Sequence, residues 1–334
     1  MKAISKKECG NMNNRISNEE IKDLSFRPKK TLWYSKIGFS LILMAIPTII
    51  YIFIFHYLPI GGLIISFKDY SSFKGLFESP WTSMGGFKHF YTFITSPNFW
   101  TILKNTLTLS IASIVFNSLF PILYALVLNE VRNKKYKKLI QTIMYAPYFI
   151  STTVLVGMLF AFFNGDSGIF TRMFAVFGFD ATNLLENPDY FCMIYVVSGL
   201  WQGLGWWSIV YMGTLSNVDP NLHDAATIDG AGRFRRMISV NLPSIIPLAT
   251  IMFIMSIGNI LSVGFEKVYL MQLATNLSSS EIISTYVYRV SFPQYGIPQF
   301  SYATAIGLFN SIINILILCL ANFVSRKVSD NSLW

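Results

Sequence analysis

Charge is what this sequence has least of. Only 13% of its 334 residues are Asp, Glu, Lys or Arg, about half the share of a soluble globular domain. Disorder is excluded for most of the chain, because disordered segments are polar and highly charged. Cysteine is scarce too. Cys9, Cys192 and Cys319 are odd in number and far apart, which excludes a disulfide scaffold. No Gly-x-x-x-x-Gly-Lys-Ser/Thr phosphate loop, His-Glu-x-x-His, Gly-x-Ser-x-Gly or Cys-x-x-Cys occurs, so the usual nucleotide, zinc and serine-hydrolase chemistries have no motif here. His56, His89 and His223 are isolated in sequence, whereas a zinc site needs three or four convergent ligands. The apolar runs hold almost no ionisable groups, and these are the usual mark of ion or proton pathways and of intramembrane catalysis. Catalysis and proton-coupled pumping are therefore disfavoured, and any energy for work must come from outside the chain.

What is present is apolar surface. Hydrophobic residues make up 53% and mean hydropathy is +0.47. Six charge-free runs, at 37–67, 105–129, 139–165, 190–218, 237–265 and 290–325, each exceed the roughly 20 residues that cross a bilayer as a helix. An all-α polytopic membrane protein is predicted, with six spans near 38–58, 101–128, 140–163, 192–215, 244–265 and 302–324. Strands are not an option, for a β-barrel would show alternating segments of about ten residues. The first run starts too late, runs too long and lacks the small-residue cleavage site of a signal peptide. Cys9 has no apolar segment before it, which argues against a lipoprotein.

The net charge of +9 reads as membrane anchoring rather than nucleic-acid binding. With the N-terminus inside, the cytosolic segments hold 19 of the Lys and Arg residues and the outer segments 7. Both termini are therefore predicted to be cytoplasmic. Residues 1–36 form a basic tail lying near anionic lipid head groups, 37–326 the membrane domain and 327–334 a second short tail. Aromatic residues in 68–98 and 266–301 suit interfacial belts, with a minority left to meet an extracellular partner.

The cytosolic loop 217–243 breaks the apolar pattern. Asp219 can cap a helix that has Pro220 at its first position. Leu222, Ala225, Ala226 and Asp229 share one helical stripe. Gly230 ends that helix and Gly232 permits a second bend. A basic amphipathic helix then runs from Arg233 toward Asn241, and Pro243 and Pro247 open the next span. Two readings remain open on local physics: a tight cytosolic turn with arginine anchors, or a knob that docks in a partner's groove.

The loop resembles the signature of permease subunits of ATP-binding-cassette importers: Glu-Ala-Ala, two residues, Asp-Gly-Ala, eight residues, then Ile-x-Leu-Pro. Here Asp224-Ala225-Ala226 is followed by Thr227 and Ile228, then Asp229-Gly230-Ala231, eight residues, and Val240-Asn241-Leu242-Pro243. Asp224 stands for Glu and Val240 for Ile. Other strings are similar to the polysaccharide and complex-oligosaccharide branch of the maltose-type permeases. They include Phe55-His56-Tyr57-Leu58-Pro59, Leu128-Asn129-Glu130, Thr285-Tyr286-Val287-Tyr288-Arg289 and the terminal Leu333-Trp334.

The resemblance implies the type I importer permease fold in a bacterial plasma membrane. It implies a second permease subunit, usually as a heterodimer, two ATPase subunits docked on the loops, and an extracellular sugar-binding lipoprotein that delivers an oligosaccharide. This chain would bind no cofactor, and ATP and magnesium would sit on the ATPases. Asp224, Ala225, Ala226, Asp229, Gly230, Ala231 and Arg233 would transmit the ATPase motion. Gln202, Gly203, Trp206, Ser256 and Asn259 fall where such permeases touch sugar. Indoles stack on pyranose faces and amides pair with hydroxyls, but the same residues suit packing, as does the Gly199/Gly203 pair. Asn105, Asn117, Asn310 and Asn314 suit either packing or the pathway. The same machinery with an amino acid, peptide or phosphate as cargo is the alternative; a membrane enzyme or a passive channel fits less well.

Overall fold

The structure is a computed structural model that describes residues 36–163, 165, 168–178 and 183–328. The expected tails lie outside the described residues, apart from Lys36, Lys327 and Val328, and so do Cys9 and Leu333-Trp334. Among the described residues the regular elements are helices, and one isolated antiparallel bridge pairs Lys68 with Trp81.

The chain divides after Gly62 into two units. The described part of the first is helix α1 (Lys36–Ile52), continued by a π turn at Phe53–Tyr57 and a helical turn at Leu58–Gly61. From Leu41 to Gly61 each side chain is exposed, among them Met44, Tyr51 and Phe55. A helix apolar on all sides is one that faces lipid.

The second unit holds α2 (Lys88–Ile94), α3 (Phe99–Asn129), α4 (Lys134–Tyr145), α5 (Thr152–Phe162), α6 (Ile169–Val176) and α7 (Pro188–Ser216). It goes on with α8 (Pro220–Ile228), α9 (Arg233–Arg236), α10 (Leu242–Ile257), α11 (Phe265–Met271), α12 (Ile283–Ser291) and α13 (Phe300–Val328). The 31-residue α3 is its spine and contributes to each of three apolar clusters. Ile102 joins Phe93 and Ile306, Leu109 joins Phe191 and Val268, and Ala125 joins Tyr211 and Ile245. Burying a large apolar side chain contributes about 1.5–3 kcal/mol, so these clusters fix how α7, α10 and α13 lie against α3.

Among the described residues, four helical stretches are long and apolar enough to cross a membrane: Leu41–Phe67, Phe99–Asn129, Arg233–Ile257 and Phe300–Lys327. A bent pair, Lys134–Phe149 with Thr152–Phe162, makes a fifth if it is one span. The 29-residue α7 occupies the stretch expected at 192–215. Its Trp201, Gln202, Trp206 and Trp207 dilute its hydropathy.

Two details differ from the sequence expectation. The span expected at 140–163 is not one straight helix, for its halves meet at 97°. Pro147 removes a backbone donor, Ile150 is extended, and the Ser151 side chain caps α5 by accepting from the Val154 amide at 3.3 Å. A run of uncharged residues measures apolarity, not helix continuity. The helix expected over 244–265 starts at Leu242 and ends at Ile257, and the chain is unwound over 258–264. Asn314 of α13 holds the unwound piece: its Oδ1 accepts from the Leu261 amide at 3.0 Å and its Nδ2 donates to Ser262 at 2.9 Å. Asn105 has a comparable task, donating to the carbonyls of Ser278 and Glu281 at 2.8 and 3.1 Å. Both asparagines therefore serve packing.

Two lysines assigned to outer topology are buried. Lys68 donates to the carbonyls of Leu76 and Phe77 at 2.9 and 3.2 Å and lies over the Trp81 ring. Lys267 of α11 donates to the Tyr195 carbonyl at 2.8 Å and lies over that residue's ring, in space left by Gly199. Carbonyl oxygens and ring faces satisfy an ammonium without a carboxylate. Glu281 pairs with Arg289, and burial pushes its carboxyl above the usual range against the pull of that guanidinium.

Candidate coupling loop and inter-helix site

The loop builds itself from local rules. The Asp219 carboxylate accepts from the Asn221 amide at 2.9 Å, with Pro220 at the first helical position of α8. At the other end the Gly230 amide donates to the Thr227 carbonyl and the Ala231 amide to the Ala226 carbonyl. That paired closure requires a left-handed residue, and Gly230 supplies it with φ at +75°. Gly232 differs from its expected role: it sits at φ −65° and ψ 171°, a conformation open to other residues. Beyond it α9 runs into a π turn at Met237–Asn241 and then into α10.

A tie the sequence did not announce joins the two short helices. Arg236 Nη1 donates to Thr227 Oγ1 at 2.8 Å, while that hydroxyl donates to the His223 carbonyl at 2.7 Å. Asp224, Ala225, Asp229, Gly230 and Arg233 are exposed, and Ala226 and Ala231 half-buried. Exposed apolar side chains flank them: Leu222, Ile228 at 86% and Phe234 at 71%. Sequence reasoning missed Ile228 and Phe234, although three exposed large apolar residues within one short polar loop, Leu222 being the third, are together a signal for a partner.

The second candidate region lies where α7 meets the break between α4 and α5. Gln202 Nε2 donates to the Ile150 carbonyl at 2.7 Å. The Trp206 indole stacks on Tyr148 with centroids 4.4 Å apart and planes 5° from parallel, and it remains 38% exposed. Between them Gly205 lets the backbones meet: a Cβ there would lie 2.2 Å from the Met144 carbonyl oxygen. The glycine of closest helix approach is thus Gly205, not the Gly199/Gly203 pair. Gly203 is buried and makes room for the Trp207 ring of its own helix.

Ser256 and Asn259 are exposed at the end of α10 and the start of the unwound piece. Ser256 donates to the Met252 carbonyl at 2.9 Å and Asn259 Nδ2 to the Met255 carbonyl at 3.2 Å. Gln202 and Trp206 therefore converge on one feature, while Ser256 and Asn259 are bonded to carbonyls of α10. Asn259 keeps its carbonyl oxygen and Ser256 its lone pairs for another donor.

An exposed, capped elbow below a bundle of apolar helices narrows the choice of family, and comparison with known proteins decides it. Residues 122–330, more than half of the chain, match the family described as binding-protein-dependent transport system inner membrane component. The chain belongs to that family. This inner-membrane permease is 38% identical over 294 residues to Protein LplB of Bacillus subtilis (strain 168), covering 88% of this chain and 91% of that one. It is equally similar to the polygalacturonan/rhamnogalacturonan transport system permease protein YteP of the same strain, at 38% identity over 294 residues, 88% of this chain and 90% of that one. Among solved structures it resembles a chain of a bacterial alginate ABC transporter in complex with alginate pentasaccharide-bound periplasmic protein. There the TM-score is 0.81 at 35% identity, covering 91% of this permease and 100% of that chain. It is thus a multi-pass transport component of the bacterial inner membrane with the type I permease fold.

Proposed function

We propose that this permease is one of two membrane subunits of an ATP-driven importer that moves an oligosaccharide delivered by an extracellular binding protein. The exposed elbow 219–236 carries the reading. It is capped at both ends and tied across its middle by Thr227 and Arg236, so it moves as one piece. Ala225 and Ala226 are small, letting an ATPase surface approach closely, while Ile228 and Phe234 offer it apolar contacts. Asp224, Asp229 and Arg233 supply charge at the rim, and Gly230 and Ala231 hold the bend. The two ATPases bring ATP and magnesium; this chain binds neither. Both termini lie on the ATPase side.

An oligosaccharide is the cargo that the named relatives favour, YteP by its name and the alginate transporter by the pentasaccharide bound to its periplasmic protein. The half-open Trp206 face, backed by Tyr148, suits a pyranose ring. Gln202 positions that indole through its bond to Ile150, and Gly203 gives Trp207 its place beside it. Ser256 and Asn259 offer hydroxyl and amide groups to the same pathway.

The test uses the purified complex in proteoliposomes with its binding protein outside and ATP inside. Labelled oligogalacturonide or alginate oligosaccharide should enter only with both. Ala225→Asp, which puts a charge into a close contact, should strip the ATPase from the purified complex. Undiminished ATPase retention would defeat the docking role. Entry of an amino acid, peptide or phosphate instead would defeat the cargo reading and leave the machinery standing.

A further inference from the structure

Docking alone does not move a bundle, and the force needs a place to enter. Asn241, the last residue of the π turn between α9 and α10, is completely buried. It lies next to the apolar cluster of Leu126, Leu128, Leu215 and Ile245, which Leu242 joins. A buried amide in such a setting is costly unless it is bonded. Its Nδ2 reaches Glu130 Oε1 at 3.4 Å, across 111 residues of chain. Glu130 is the C-cap of α3, and the neighbouring Asn129 accepts from Lys137 of α4 at 3.3 Å. The exit of the elbow, the end of the spine helix and α4 therefore meet in one polar joint. Asn241 Oδ1 has no hydrogen-bond partner although it is buried. A long bond beside an unused acceptor is a joint with bonding capacity left for a second arrangement, and π turns concentrate at such functional points.

We propose that Asn241 and Glu130 form the clasp that passes displacement of the elbow to α3. They are positioning residues, coupling ATP turnover to rearrangement of the spans without touching nucleotide, ATPase or cargo. This rests on the importer reading above.

The experiment compares wild-type complex with Asn241→Leu, Glu130→Ala and the exchanged pair Asn241→Glu with Glu130→Asn. Each is assayed in proteoliposomes for ATPase retention, ATP hydrolysis and oligogalacturonide uptake per ATP. The single variants should keep their ATPases and still hydrolyse ATP. Uptake per ATP should fall about tenfold, inside the roughly 5–150-fold span of ordinary coupling energies. The exchanged pair should recover part of it. Unchanged uptake per ATP in Glu130→Ala, which removes the acceptor at a half-buried position where misfolding is a minor concern, would overturn the clasp. Loss of the ATPases, or a parallel fall of hydrolysis and uptake at constant ratio, would overturn it too by reducing the pair to docking or packing. Failure of the importer reading shows separately, as absence of uptake by the wild type.

Discussion

Replacing Gly205 with alanine tests how α7 is held against the break between α4 and α5. The added Cβ would stand 2.2 Å from the Met144 carbonyl oxygen, 2.5 Å from its carbon and 2.7 Å from Tyr145 Cδ1. An ordinary carbon–oxygen contact is about 3.3 Å, so the two backbones must part by roughly 1 Å. Overpacking of that kind costs about 1–3 kcal/mol. The same parting stretches the 2.7 Å Gln202–Ile150 bond and loosens the Tyr148–Trp206 stack, worth about 1 kcal/mol and 0.5–1.5 kcal/mol. Alanine's better helix propensity returns about 1 kcal/mol. A net loss of about 2–4 kcal/mol remains. Gly213 is the control, since it lies on the same helix and, its two chain neighbours and the adjacent backbone of its own helix aside, no atom comes within 4 Å of the point where a methyl group would stand. Gly213→Ala should be neutral or slightly stabilising. Thermal unfolding of the detergent-solubilised protein, followed by tryptophan fluorescence, separates the two. If Gly205→Ala melts together with Gly213→Ala, the close backbone approach at Gly205 is wrong.

Two further outcomes are expected. Gly230→Ala should strain the elbow by about 1–2 kcal/mol, because alanine resists positive φ. It should weaken ATPase retention in detergent washes, whereas Gly232→Ala, at φ −65° with open space around it, should not. Asn314→Leu should leave the buried Leu261 amide without an acceptor, at a cost of about 1–3 kcal/mol. Amide hydrogen exchange at Leu261 should then accelerate relative to the rest of α10 and α13, and unchanged protection would refute the assigned role.

Sequence and structure divide the explanation along a physical line. Terms that act over a few residues were legible in advance. The Asp219 cap, Pro220 at the helix start and the left-handed Gly230 each follow from one residue's backbone preference, and the helix at Phe99–Asn129 follows from the length of its apolar run. The spaced signature of the elbow was readable for the same reason. Contacts between distant segments were not. Nothing near Asn241 in sequence points to Glu130, and nothing near Lys267 points to the Tyr195 carbonyl. Asn105 and Asn314 left two readings open until their backbone partners were seen.

The sequence by itself determined that this is a helical membrane protein with a small capped elbow between two apolar stretches, because apolarity and helix-end chemistry are local properties. Only the tertiary structure decided that the third apolar run bends by 97°, that Gly205 is the glycine at which backbones touch, and that Asn241 joins the elbow to α3. Those outcomes depend on which polar groups find partners once helices pack, and that is a property of the assembled bundle.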